Sequence, residues 1–272
     1  MKKLPFIAVF ISISLNLNAQ SLEFYNEPMP GSLLFGKANP VKSITMDDNP
    51  IAFTEEGEFV IGFDRDDTSS HLLIVETEGK TFIKEIILPN REYNVQRINR
   101  MAQKYVSPPQ KVLNRIAKER KITNAAKKKI GEIKEPLFIS GFQIPIAGGR
   151  ISSVFGSQRI LNGVPKNPHN GLDIAVPRGT PVKAMTDGKV LLSADNFYYA
   201  GNFIILDHGF GINSMYLHMS ESLVKEGQFV KKGEVIGKVG TTGRSTGPHL
   251  HWTVQWYDKR VDPNSVFKFV VE

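Results

Sequence analysis

Two imidazoles stand two residues apart in the stretch GPHLHWTV, where His249 and His251 follow a turn-forming Gly-Pro. Successive side chains of a strand point to opposite faces, so both histidines share one face while Leu250, Trp252 and Val254 fill the other. Neutral imidazoles are good ligands for a borderline-soft cation such as zinc. A catalytic zinc takes three protein ligands and keeps a fourth position for water. Further donors lie upstream in NPHNGLDIAVP, where His169 and Asp173 are four apart. A helix would put them on one face, but Gly171, Ile174, Val176 and Pro177 oppose a helix. An even separation on a strand does the same, with Leu172, Ile174 and Val176 turned toward the core. Two imidazoles and one aspartate around a cation would keep a net positive charge and an open position, polarising a bound water toward hydroxide. That is hydrolytic chemistry.

Five of the six histidines lie after residue 168 and the chain has no cysteine, so any metal must be held by His, Asp or Glu. No HExxH motif is present, so no glutamate is placed as general base and an imidazole has to do that work. His218 is available for it. His208, inside the tripeptide DHG, is expected instead to be a buried structural histidine hydrogen-bonded to backbone.

The elements that must position these residues form a mainly β protein. From Ser21 to about Ser107, short β-prone runs alternate with turns: Leu33-Leu34-Phe35, Val41 to Met46, Phe59 to Phe63, Leu72 to Val75, Phe82 to Leu88 and Tyr93 to Ile98. This predicts a small N-terminal β-sandwich. It holds only His71 and no cluster with ligand spacing, and the acidic run Asp64, Asp66, Asp67 lacks the downstream Gly and Glu of a calcium loop, so a solvated turn is expected there. Pro108 and Pro109 then open a helix-forming basic stretch with Val112, Ile116 and Ile122 as partial apolar spacing, ending near Gly131. After Pro136 the strands return and are glycine-rich. Gly227, Gly233, Gly237, Gly240 and Gly243 read as turns of an antiparallel sheet, since no GxxxxGK[ST] pattern accompanies them. The expected division is 1–19 signal peptide, 20–107 N-terminal β domain, 108–136 basic helical connector and 137–272 catalytic domain.

The N-terminus, MKKLPFIAVFISISLNLNAQ, has Lys2 and Lys3, an apolar run from Leu4 to Leu15 and a small residue at Ala19, the pattern of an export signal cleaved near Ala19. The run is shorter than the ~20 residues of a bilayer span, so no stable membrane insertion is expected after cleavage. Without cysteine, neither disulfides nor a lipidated cysteine are available. The formal charge of +7 is concentrated: residues 108–136 carry 9 Lys and Arg against 3 Asp and Glu, while residues 1–107 carry 11 against 14. A surplus confined to one short segment argues against nucleic-acid binding as the main business.

The segments RISSVFG, HNGLDIA, GTPVKA, DGKV, GNFIILDHG, YLHM, GQFVKKGEVIG, VGTTGRSTGPHLHW and VDP, in this order from about Gly148 to Pro263, resemble the lysostaphin and LytM type of zinc peptidases. The resemblance implies an antiparallel β peptidase domain binding one zinc per chain through His169, Asp173 and His251. It also implies that His218 and His249 stay off the metal as catalytic residues and that the substrate is peptidoglycan, cut through a zinc-bound water. Two departures stand out: Tyr199-Ala200-Gly201-Asn202 carries an inserted residue that is expected to alter one groove wall, and Trp252 replaces the commoner Phe. The signal and the N-terminal β domain point to a periplasmic enzyme and to D-Ala-diaminopimelate cross-links rather than oligoglycine bridges. The alternative within the same fold is a non-catalytic wall-binding protein that activates another hydrolase. GQFVKKGEVIG also looks like part of a biotinyl or lipoyl carrier, but the MetLysMet or AspLysAla setting of such carriers is missing. The upstream domain either occludes the groove or serves as a spacer or docking module. Occlusion requires a fragment beginning near Pro136 to digest wall faster than the whole protein.

Overall fold

The computed structural model describes residues 20–269 of the 272-residue chain. The segment read as an export signal, 1–19, lies outside the described residues. The architecture is mainly β, as expected. Its largest sheet runs in the order Phe229–Val230, Gly188–Phe197, Gly201–Asp207, Ile212–Met219, Leu250–Trp256, Leu172–Ala175 and Arg150–Ser153, with Lys259–Val261 paired off this path on Leu250–Trp256. Every pair in it is antiparallel. Upstream lie a three-stranded sheet built from Ser21–Phe24, Leu33–Asn39 and Glu58–Gly62 and a four-stranded one containing Ser43–Met46, Ser70–Glu76 and Thr81–Ile87. The predicted strand ending at Ile98 forms as Val95–Ile98, but it leaves the upstream sheets and pairs in parallel with Gln158–Leu161.

The helix spans Gln110–Lys127, begins directly after Pro109, and buries only Ala126 fully. Its basic face is therefore largely solvated, and it is tied to the main sheet by side chains. Glu119 accepts a hydrogen bond from the Tyr198 N–H at 2.8 Å, and Lys127 donates to Gln255 Oε1 at 2.8 Å. Among the described residues no helix is long and apolar enough to cross a membrane.

One continuous apolar core runs through both halves of the chain: Leu33, Phe35, Ile61 and Phe63 belong to the same cluster as Leu172, Ile174, Trp252 and Val254. The Phe35 ring lies 5.1 Å from Phe269 and 6.4 Å from Phe138, and Phe138 stacks on Phe142 at 5.8 Å. Gly62 shows how closely the halves meet, since a Cβ there would stand 2.4 Å from Trp256 Cβ. The acidic turn is not merely solvated. Asp64 Oδ2 accepts from the Arg260 backbone N–H and Nε, both at 3.0 Å, which pins the turn to the last hairpin. His71 likewise sits between Asp47, at 2.6 Å, and Asp67, at 3.1 Å, a grouping that sequence spacing hid.

A fragment beginning at Pro136 would uncover Phe138, Phe269 and Trp256 together. Losing one buried Phe typically costs about 3–5 kcal/mol. Such a fragment is expected to aggregate or to melt far below the full chain, which differential scanning fluorimetry would show; an unchanged melting temperature would contradict the shared core.

Asp207, fully buried at the end of Gly201–Asp207, is pushed up to about 6 by burial, against the pull of its hydrogen bond from the Gly209 N–H at 3.0 Å. Its Oδ2 has no partner. The native state therefore holds a proton that the unfolded chain releases near pH 4. Its contribution to stability is fully present below that point and is lost as pH rises to about 6, on the order of 3 kcal/mol. In chelator-treated protein, Asp207→Asn should flatten this part of the melting-temperature profile.

Candidate metal centre and groove

Register places two of the expected ligands side by side. Asp173 on Leu172–Ala175 pairs with His251 on Leu250–Trp256, and His251 pairs on its other side with Leu217. The parity argument holds for the downstream strand: Leu250, Trp252 and Val254 are each 0% exposed, while His249 and His251 look into the groove. The upstream strand is shorter than predicted. It starts at Leu172, so His169 stands in the turn before it rather than on the same strand, and Val176 lies beyond the strand and is only half-buried. Gly171 lets that turn pass, because a Cβ there would come within 2.4 Å of the Trp252 carbonyl oxygen and 3.0 Å of His251 Cε1. The turn is then fastened from behind, with the His169 N–H donating to the Ser157 carbonyl at 2.9 Å and the Gly156 N–H to the His169 carbonyl at 2.8 Å.

Three donor atoms converge. His169 Nε2 lies 3.0 Å from Asp173 Oδ1 and 2.9 Å from His251 Nδ1, and His251 Nδ1 lies 2.6 Å from Asp173 Oδ1. The other ring nitrogen of His169, Nδ1, is 2.9 Å from the Val154 carbonyl, which can only accept, so Nδ1 carries the proton and Nε2 turns a lone pair inward. Electron-pair donors this close need a positive charge among them. Burial opposes a proton, pulling His251 down to about 4 although Asp173 pulls it up. Burial also opposes ionisation of Asp173, but His251 and His169 outweigh it and hold the carboxyl well below its ordinary range. A neutral His251 beside an ionised Asp173 is what a metal ion requires of its ligands. His169, Asp173 and His251 are also the one grouping of His, Asp and Glu among the described residues that could hold one.

Two further imidazoles face the same groove, each held through Nδ1 by a backbone carbonyl. His218 Nδ1 is 2.9 Å from the Thr242 carbonyl and His249 Nδ1 is 2.8 Å from the Gly247 carbonyl. Each Nδ1 therefore carries hydrogen and donates it to that carbonyl, which leaves Nε2 as the nitrogen free of that bond. Their rings lie 4.9 Å apart, and His218 is 5.9 Å from His251. Burial pushes His218 well below the ordinary imidazole value, with His251 and His249 acting in the same sense. His218 also has φ of 63°, beside an irregularity in the pairing of Ile212–Met219 with Gly201–Asp207. Bulges re-aim side chains, and a non-glycine residue held in the left-handed region marks a position fixed by its surroundings. His208, by contrast, is fully buried away from the groove. Its Nδ1 donates to the Asp187 carbonyl at 2.7 Å, and its Nε2 lies 2.7 Å from Ser214 Oγ.

Sequence reading missed the groups behind the ligands. Arg159 Nη2 donates to Asp173 Oδ2 at 2.9 Å, which leaves Oδ1 for the centre, and Ser153 Oγ bridges His169 Nδ1, at 2.8 Å, to Gln96 Oε1, at 2.9 Å. An arginine ten residues before a histidine carries no spacing signal. The groove has a volume of about 440 Å³, and its walls include Gln96, Ile98 and Met101 from the upstream part as well as Tyr199 and Ala200 of the inserted segment.

Residues 167–263 match the model of peptidase family M23. The chain is 50% identical over 105 residues to the peptidoglycan DD-endopeptidase ShyA of Vibrio cholerae serotype O1, a stretch covering 38% of this chain and 24% of that protein. It is 42% identical over 127 residues to the DD-carboxypeptidase/endopeptidase Mpg of Neisseria meningitidis serogroup B, covering 46% and 29%. The matches thus span between a quarter and a third of these relatives' lengths. A crystal structure of an M23-type peptidase from Pseudomonas aeruginosa is similar almost throughout, with 30% identity, a TM-score of 0.66, and coverage of 90% of this chain and 96% of that one. With the upstream sheets included in that likeness, the chain belongs to peptidase family M23.

Proposed function

We propose that this protein is an exported, periplasmic zinc metalloendopeptidase that hydrolyses peptide cross-links of bacterial peptidoglycan, the D-Ala-diaminopimelate bond in particular. The observation that carries the reading is the convergence of three candidate ligand atoms and two further imidazoles on one groove. A tetrahedral zinc with bonds of about 2.0–2.2 Å separates its ligands by roughly 3.3 Å. The three donors stand 2.6 to 3.0 Å apart, so a small outward shift accommodates the ion. The printed activities of the Vibrio and Neisseria relatives support the substrate class.

Zinc held by His169, Asp173 and His251 would supply Lewis acidity, making water a nucleophile at neutral pH. The remaining work belongs to the chain. Arg159 holds the outer carboxylate oxygen of Asp173, and the Val154 carbonyl holds the His169 ring, so the ligands are oriented before substrate arrives. His218 and His249 each keep Nε2 clear of the carbonyl bond that holds Nδ1. One takes a proton from the attacking water and passes it to the leaving amine as the C–N bond breaks; the other, protonated from solvent, stabilises the developing oxyanion. The non-catalytic wall-binding alternative is disfavoured because all five positions are filled and mutually oriented.

Purified peptidoglycan should be digested by the protein, and not after chelation, with cross-linked dimers falling and uncross-linked monomers rising on muropeptide chromatography. Release of glycan free of peptide would mean an amidase. Binding without cleavage would favour the activator reading.

A further inference from the structure

The groove holds more positive charge than its centre uses. Arg150, Arg159 and Arg244 line it, and Asp173 is the sole carboxylate among the lining residues. Asp173 is fully engaged, with Oδ1 at the two ligand histidines and Oδ2 on Arg159. Arg244 is in a different position. Its guanidinium lies over the Tyr199 ring, 4.8 Å from the centroid, half-buried, and among the described residues no carboxylate or carbonyl accepts from it. Burial and the nearby Arg159 charge pull it below its ordinary value. A guanidinium presents five donors in a planar fork matched to a carboxylate, and sheltering it without an acceptor is costly. The backbone holds it in place, with the Arg244 N–H donating to the Tyr199 carbonyl at 2.9 Å. The same loop carries His249, whose Nδ1 is 3.3 Å from the hydroxyl of the next residue, Ser245. An anion on Arg244 therefore lies in the groove that holds the reacting groups.

We propose that Arg244 is a carboxylate-binding residue of the groove: it receives a free carboxylate of the peptide, on the carbon bearing the scissile amide nitrogen, and so selects acidic cross-links over amidated or neutral ones. The proposal rests on the peptidase reading above. The Tyr199 ring lies under the guanidinium on the groove wall, and Arg150, exposed on the same groove, adds attraction at longer range.

The test uses the zinc-loaded full chain and two cross-linked dimers that differ only in whether the diaminopimelate carboxylate beside the scissile bond is free or amidated. The wild type should favour the acidic dimer by about 10–100-fold in kcat/KM, mostly through KM, the size of a hydrogen bond to a charged group. In Arg244→Gln this ratio should collapse toward one, and Arg244→Lys, which keeps the charge and loses the fork, should fall between. A wild-type ratio near one, or an Arg244→Gln ratio equal to the wild type, overturns the proposal. If the wild type cleaves neither dimer, the peptidase reading fails. NMR titration with the free and amidated diaminopimelate tetrapeptides then decides the binding claim, with equal affinities counting against it.

Discussion

His169→Ala is expected to leave the protein without its metal: elemental analysis should fall from about one zinc per chain to near none, and wall digestion should be lost with it. The reason lies in how the site is closed. His169 is 1% exposed, and its Nε2 stands within 3.0 Å of both other donor atoms, so its removal leaves two ligands and a hole. Changing a group that merely supports a ligand typically costs 10–100-fold in affinity or activity, and loss of the ligand itself should exceed that. The apo variant would also retain Asp173 charged and buried on Arg159, which keeps the fold intact enough for the measurement to be clean. Full zinc occupancy in a folded His169→Ala protein would show the ligand set to be wrong.

Removing the His218 imidazole should separate metal binding from turnover. His218→Ala is expected to keep its zinc and lose about 10²–10⁴ in kcat, the range of a positioned acid or base. Alanine does not favour φ of 63°, so a structural cause could mimic the effect. His218→Asn answers this, because asparagine tolerates the left-handed region while lacking an imidazole. The two variants should lose activity alike. Near-normal turnover in zinc-loaded His218→Asn would remove His218 from the chemistry.

How much of this was legible beforehand depended on whether the deciding contact was local. Parity along GPHLHWTV was sufficient to predict the two faces of Leu250–Trp256, because alternation is a property of the strand alone. The same reasoning misplaced His169 on a strand, since the close approach at Gly171 is to a carbonyl 81 residues away in sequence, at Trp252. The runs from Leu33 to Leu88 were readable as strands. The parallel pairing of Val95–Ile98 with Gln158–Leu161 was not, because period-two patterning says nothing about partner choice. Arg159 and Ser153 touch Asp173 and His169, and residues that support other residues leave no spacing of their own.

The contact between Phe35 and Phe269 joins residues 234 positions apart in sequence, near the two ends of the described chain. Contacts of such separation are slow to form, because a long loop must close before they repay its entropy. The upstream sheet therefore cannot bury its inner face until nearly the whole polypeptide is present. Newly made chains are expected to keep Leu33, Phe35, Ile61 and Phe63 incompletely covered until the last strands arrive. Delayed closure leaves the apolar faces of the upstream sheets exposed to aggregation for the same interval.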